Sequence, residues 1–476
     1  MSNIQDLFLY ETDNSKIAGT LTGVVFPENK EQVSTLIKTA AKDIVPRGAG
    51  TNTVGATVPQ NSLVICTKKM RKVYDFDAKK STICAEPGVT SKELNEKLKA
   101  VGCEFPIYTN PQATLGGMIA LNTLSSLGKY GKVSEHLWEL EIVNGKGEKM
   151  QIEKTDLADI YGMEGTTGII TKAKIKVIPL QKKSISVFQS EDIEEIIAFA
   201  RRLKSDPEVV ALHFFSQAAS IMMGLPQKNN LVIIFNSPRG KIKDDDYTML
   251  EKKLEQGTLK LASDQSKEME EAAFILGKLQ DFLLFIQPYH LPFYGDFTSE
   301  SIFIFFAKDD KVKFEILKVI DKLSGKPFLG YGLKRKNMID PLRRKILQRV
   351  KKRYDPFLKL NKGKIADVTR EELAAQTAKA PEENIVAEKG VTLDEQKNII
   401  EKQLQDYRQT FQSEFSEEKV NQVEKISRQI PREIQRAQPP QNKSSDDLIR
   451  NIMFNKYEKK ENTLINKKDE EDKKSP

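Results

Sequence analysis

Three glycine-rich segments constrain this chain more than any other feature: Pro46–Asn52 (PRGAGTN), Thr114–Ala120 (TLGGMIA) and Glu164–Ile170 (EGTTGII). They fall in order within one stretch of short apolar strands and helices. Glycine lets a backbone approach a ligand closely and turn its N–H groups on an anion. The neighbouring threonines and asparagine add side-chain donors. Any one of these loops reads as an ordinary turn, but three in one module suit a pyrophosphate. None is a Walker loop, since no G-K-[ST] follows. None has G-x-G-x-x-G spacing after a first strand.

The surroundings read as α/β. LTGVVFP is a strand, and Glu31 to Ala41 a helix with Val33, Leu36, Ile37 and Ala40 on one face. Ile44-Val45-Pro46, Leu63–Cys66, Ser81–Ala85, Glu139–Val143 and Ile169–Ile178 read as further strands. Thr90 and Glu93 form a capping box for a helix that buries Leu94 and Leu98 and stops at Gly102. Asn144-Gly145 opens a tight turn into Glu148–Ile152. A second α/β module carries a helix over Ile193–Leu203, strands at Leu231–Phe235 and Ser301–Phe306, and helices near Phe314–Leu323 and Pro341–Tyr354.

After about residue 366 the composition turns charged and poor in aromatics, as in tails that lack a packed core. Within it, a Thr392/Glu395 capping box precedes Ile400, Leu404, Tyr407, Phe411 and Phe415, an amphipathic stripe near 393–430 that stops at Pro431. That stripe packs in cis or meets a protein partner. The expected organisation is an N-terminal segment 1–17, a first module 18–180, a second module 181–365, and a charged, mostly disordered tail 366–476.

Charge and composition exclude several classes. Of the net +8, residues 366–476 hold 20 basic and 23 acidic groups, which leaves +11 to residues 1–365. The excess gathers in Lys334–Lys336, Arg343–Lys345 and Lys351–Arg353. Such a patch can attract an anionic substrate. No nucleic-acid motif or interleaved aromatic accompanies it, which argues against nucleic acid. Three cysteines without C-x-x-C spacing and three histidines without ligand spacing predict no disulfide framework, iron–sulfur cluster or metal site. No run of about 18 apolar residues and no secretory leader pattern occur, so no transmembrane segment and a cytoplasmic location are expected.

Taken together, PRGAGTN, Gly55, AEPGVTSKELNEKL, PQATLGGMIALN, GKYGKV, WELEIVNGKGE and DIYGMEGTTGIITKAKIKVIP resemble the type-4 FAD-binding flavoproteins of PCMH-type, vanillyl-alcohol-oxidase-like fold. The glycolate oxidase FAD subunit and the D-lactate dehydrogenases belong to that group. The resemblance resumes at Asp355–Ile365, similar to a closing DP-x-x-x-x-NPGKI segment, with Lys362 where the pattern has proline. It implies an α+β fold: a PCMH-type FAD-binding domain of two α/β subdomains, then a reduced α/β cap. It also implies FAD, noncovalently held because the first loop lacks the histidine that bonds flavin in some members.

The residues that the resemblance points to for the cofactor are Pro46, Arg47, Gly48, Ala49, Gly50, Thr51 and Asn52, with Pro111, Thr114, Leu115, Gly116 and Gly117, around the pyrophosphate. Asn122, Gly128, Tyr130 and Gly131 would lie along it. Glu164, Gly165, Thr166, Gly168, Ile169 and Ile170 would hold the adenosine side. The implied reaction is oxidation of a small 2-hydroxy acid or related anionic alcohol, with hydride passing to flavin N5. Electrons would leave through a separate redox protein, a quinone or another acceptor. The family's G-H-x-x-x-G-N-L-H segment falls on Gly295–Phe303, with Asp296 and Phe303 in place of both histidines. Its E-H-G-x-G-L-x-K segment falls on Phe328–Arg335, without the glutamate and histidine. Asp296, Tyr331 and His290 are the remaining catalytic candidates, with Tyr294 as a further hydroxyl donor, and His136 and His213 read as structural. The alternative is a flavin-binding protein with lost or altered dehydrogenase activity that serves in assembly. The closing segment argues against a third reading, the flavin reductase of muramic acid precursors.

Overall fold

A computed structural model describes residues 7–365 apart from 224, 244–265, 276 and 309. The amphipathic stripe near 393–430 lies outside the described residues.

The chain begins with a parallel sheet of β1 (Thr20–Val25), β2 (Ile44–Arg47) and β3 (Gln60–Cys66), in the order β1-β3-β2. Helix α1 (Lys30–Thr39) joins β1 to β2, capped by the Asn29 side chain on the Gln32 N–H. Its Val33 and Ile37 are buried with Ile44 and Ile65, as the 3.6-residue spacing requires. An antiparallel sheet follows, built from β4 (Val73–Asp77), β5 (Thr82–Ala85), β7 (Leu137–Val143), β8 (Lys149–Ile152) and β9 (Ile169–Lys176), in the order β4-β5-β9-β7-β8; β6 (Cys103–Glu104) pairs separately with β10 (Ile178–Pro179). Helix α2 (Ser91–Lys99) carries the expected capping box, with Thr90 and Glu93 bonded reciprocally, and buries Leu94 and Leu98. The β7–β8 connection is longer than a two-residue turn. The Asn144 side chain accepts from the N–H groups of Lys146 and Glu148, and Gly147 takes φ +78°.

The second glycine segment is not a loop. Leu115–Leu121 forms a helix, α3, whose Leu115, Met118 and Ile119 are buried. Each glycine costs a helix about 1 kcal/mol relative to alanine, and the burial of three large side chains at helical spacing outweighs that.

Residues beyond 180 build an antiparallel sheet of seven strands: β11 (Ser184–Ser190), β12 (Val209–Phe215), β13 (Asn229–Phe235), β14 (Ile242–Lys243), β15 (Lys267–Ala273), β16 (Phe293–Asp296) and β17 (Ser301–Ala307), in the order β14-β11-β13-β12-β16-β17-β15. Helix α4 (Ile193–Leu203) packs on β11, β12 and β13, and helix α6 (Lys278–Ile286) packs on α4; the short α5 (Gln217–Met222) lies between them in sequence. Helix α7 (Val312–Lys322) contacts α6. The opposite face packs Phe215 and Phe305, with Tyr294 and Phe303, into one cluster with Leu127, Tyr108 and Tyr130 of the first module.

The last described helix, α8 (Pro341–Tyr354), returns the chain to the first sheet. The Ile44 N–H donates to Lys359 and the Asn361 N–H to Ile44, each at 2.7 Å, so Leu360 bridges in parallel beside β2. Buried Lys351 anchors this return, with its ammonium 2.9 Å from Asp355 and donating to the carbonyls of Leu360 (2.6 Å) and Thr166 (3.2 Å). The same Asp355 carboxylate accepts the N–H groups of Lys359 and Leu360. Asp355→Ala strands the buried Lys351 charge, and breaking such a pair costs about 3–5 kcal/mol. Urea unfolding should show that loss, and an unchanged midpoint would remove the pair from the account.

Candidate functional site

The three glycine segments meet around one cavity. Its walls include Pro46–Thr53, the turn of Thr109 and Asn110, the α3 residues Gly116, Gly117, Met118, Ala120 and Leu121, and Ile160, Glu164, Gly165 and Gly168–Ile170. Its empty space, counting open solvent at the mouth, is about 1230 Å³.

The floor of this cavity holds unmet donors. Arg47 is buried, with guanidinium N–H groups on the Leu9 carbonyl (3.1 Å) and the Thr57 hydroxyl (3.3 Å), but its Nε has no partner. Burial pulls Arg47 below the usual arginine range, and Asp13 opposes that. The Asn52 Oδ1 accepts from Val54 and Ala56, while its Nδ2 has no partner. Thr114 Oγ1 is likewise buried and unpartnered. A buried polar group left unmet costs about 1–3 kcal/mol. Three such groups on one cavity floor call for an oxygen-rich, anionic ligand.

Glycine fits the same purpose. A Cβ at Gly48 would overlap the Thr114 hydroxyl, so the first and second segments can close together only without one. A Cβ at Gly117 would meet only Thr114 Oγ1, at 3.3 Å, and otherwise point into open space. The residues fit a dinucleotide pyrophosphate, with Arg47, Asn52 and Thr114 as donors.

Of the residues expected at the cofactor, Pro46–Asn52, Thr114, Gly116, Gly117, Glu164, Gly165, Gly168, Ile169 and Ile170 line the cavity. The others have different surroundings. Leu115 is fully buried in the core of α2, α3 and the five-stranded sheet. The Pro111 carbonyl accepts from Lys92. Asn122 ends α3 at φ +52° and accepts from Ser134. The Thr166 hydroxyl bonds Met163. Gly128 packs against Asp296 and Thr298, Gly131 against Glu135, and Tyr130 stacks on Tyr108 at 6.4 Å.

The second module contributes Phe328 and Leu329 to the cavity wall, and two buried carboxylates fix their loop. Glu271, on β15, accepts from Phe328 (3.3 Å) and Leu329 (3.1 Å) and pairs with buried Arg335 at 2.5 Å. Glu164, in the third glycine segment, accepts from Tyr331 (2.6 Å) and Gly332 (2.9 Å). Burial pushes both carboxyls up to about 7. Behind Glu164, Asn361 donates to its carbonyl and to that of Ala56, and the Lys364 ammonium donates to Ala56. Burial pulls Lys364 down to about 7. Nothing in the sequence pattern marked Glu271, whose partners lie far along the chain; Asn361 and Lys364 fall in the closing segment, where the pattern gave them no role.

The expected catalytic groups are otherwise engaged. The buried Asp296 carboxylate takes four donors: the N–H groups of Leu212 (2.8 Å) and Thr298 (3.0 Å), and the hydroxyls of Thr298 (2.5 Å) and Ser299 (3.2 Å). It fixes the β16–β17 corner and does not line the cavity. Tyr331 is buried beside Met163, Ile339 and Leu347, with Arg343 over its ring at 5.4 Å. His290 is exposed and ends the turn Gln287–Tyr289 at φ +51°. Neither lines the cavity. The basic patch is also largely committed: Arg335 pairs with Glu271, Lys336 donates to the Gly363 carbonyl (3.0 Å), and Arg344 to that of Lys336 (2.9 Å). Among the described residues, no group of three or more His, Cys, Asp or Glu side chains has metal-binding geometry, and no helix is long and apolar enough to cross a membrane.

Two outcomes follow. Gly117→Trp should fill the cavity and abolish flavin binding while leaving the circular dichroism unchanged; retained stoichiometric flavin would remove α3 from the site. Glu164 holds its proton more tightly folded than unfolded. Its contribution to stability is complete below its ordinary 4.5 and is lost as pH rises through about 7. The thermal midpoint should therefore fall from about pH 5 to about pH 7, and fall less in Glu164→Gln. Lys364 acts with the opposite sign, adding stability above about 7, so the comparison belongs below that value.

Comparison with known proteins agrees with the geometry. A family model described as an FAD binding domain matches residues 21–153. Glycolate oxidase subunit GlcD of Bacillus subtilis is 26% identical over 284 residues, 53% of this chain and 59% of that protein. A probable mitochondrial D-lactate dehydrogenase of Danio rerio is 32% identical over 180 residues, 34% of this chain and 36% of that protein. D-2-hydroxyglutarate dehydrogenase of Escherichia coli is 30% identical over 174 residues, 34% of this chain and 17% of that protein. The matches thus span less than two thirds of these relatives. A solved alkyldihydroxyacetonephosphate synthase shares the fold, with a TM-score of 0.52 and 19% identity over 71% of this chain and 76% of that one. Residues 21–153 thus match an FAD binding domain, and the cofactor that this domain indicates is FAD.

Proposed function

We propose that this protein is an FAD-dependent dehydrogenase that oxidises a 2-hydroxy acid, with FAD held noncovalently. The observation that carries this reading is the cavity itself: unmet donors of Arg47, Asn52 and Thr114 on its floor, and a wall from the seven-stranded sheet at Phe328 and Leu329. Relatives named for glycolate, D-lactate and D-2-hydroxyglutarate support the substrate class. Bound FAD supplies the two-electron acceptor.

The chain's own residues supply binding and enclosure. Arg47, Asn52 and Thr114 would hold the anionic centre of the cofactor, and Gly165, Gly168, Ile169 and Ile170 line the same cavity. Phe328 and Leu329 exclude water from one wall, and Glu164 and Glu271 keep their loop in place. Low local polarity there strengthens any electrostatic contact made inside.

Anaerobic addition of 2-hydroxy acids to the flavin-loaded protein tests this. Bleaching of the flavin absorbance by at least one of them is expected. A flavin that dithionite reduces but no hydroxy acid does would contradict the dehydrogenase reading and favour an assembly role.

A further inference from the structure

We propose that the substrate carries an aromatic ring, and that Tyr294, Phe303 and Phe328 form the platform that receives it. This rests on the dehydrogenase reading above and names its substrate class: an aryl-substituted 2-hydroxy acid.

The platform begins at the cavity wall with Phe328, the one of the three rings that lines the cavity, and continues behind it. Phe328 meets Phe303 edge-on, with centroids 5.2 Å apart at 69°. Phe303 pairs across β16–β17 with Tyr294, and their rings stack at 4.8 Å and 27°. Tyr294 stacks in turn on Phe305 at 5.9 Å and Phe215 at 6.0 Å. Across the module boundary, Tyr108 and Tyr130 pack on the same cluster. Phe215 and Phe305 are buried and support the layer from within. Tyr294, Phe303, Phe328, Tyr108 and Tyr130 are only half-buried.

The carboxylates beside this face are already committed. The Glu271 carboxylate is taken by Phe328, Leu329 and Arg335, and that of Asp296 by four donors. The Tyr108 hydroxyl donates to Glu104, which Lys183 neutralises at 2.8 Å. A compact polar acid finds few free partners beside these rings. An aromatic ring finds offset and edge-on neighbours at the separations such pairs prefer. Apolar pockets discriminate by roughly 10–200-fold for each methylene they can or cannot bury.

The test compares 2-hydroxy-3-phenylpropanoate with 2-hydroxypropanoate in anaerobic reduction of the flavin-loaded protein. It also measures binding of 3-phenylpropanoate and propanoate, which lack the hydroxyl, by flavin difference spectra. The phenyl compounds should half-saturate at least about 10-fold lower than their short counterparts. In Phe303→Ala, and in the milder Phe303→Leu, that ratio should move towards one while bound FAD stays stoichiometric. Equal half-saturation for ring-bearing and short acids, with bleaching by both, would overturn the ring platform and leave the dehydrogenase reading intact. Tighter binding of 3-phenylpropanoate with no bleaching by any hydroxy acid would keep the platform and overturn the dehydrogenase.

Discussion

Two buried carboxylates hold the cavity wall in place. Glu164 belongs to the first module and Glu271 to the far edge of the seven-stranded sheet, yet both accept backbone N–H groups from one short loop, residues 328–332. Buried carboxylates are costly unless each lone pair is used. Here four backbone donors and Arg335 use them, so the loop is fixed from both sides. That loop brings Phe328 and Leu329 to the cofactor cavity. Without the clamp, the cavity would keep its floor and lose one wall.

The floor rests on a different constraint. Gly48 and Thr114 sit too close for a side chain between them. Beside them, Arg47, Asn52 and Thr114 carry donors that no protein atom meets. The chain's return through α8 secures this floor, because Lys351, Asp355 and Asn361 tie the segment after the helix to β2, Thr166 and Glu164. The basic residues near the end of the second module thus serve largely as anchors within the fold.

Local signals in the sequence were legible where local physics decides. The Thr90/Glu93 capping box, the α1 stripe, and the helices Ile193–Leu203 and Pro341–Tyr354 stand where spacing and caps predict them. The strand Leu231–Phe235 does as well, within β13. Helix α3 was missed because paired glycines read as a loop, and only tertiary burial of Leu115, Met118 and Ile119 reverses that. Strand β15 (KEMEEAA) was missed because its acids break the apolar pattern, and one of them, Glu271, belongs to the clamp. Most of the glycine-segment residues meet at one cavity, which their order in the chain suggested. The four donors on Asp296 were not legible, because one of them, the Leu212 N–H, comes from a distant strand.

The central claim is that these unmet donors are the seat of FAD. Equilibrium titration of the flavin-free chain with FAD, followed by flavin fluorescence, tests it most directly. The account predicts saturation at one FAD per chain, with affinity falling about tenfold or more when Asn52→Leu and Thr114→Val remove two donors. Saturation that those two substitutions leave unchanged, or no saturable binding at all, would contradict it.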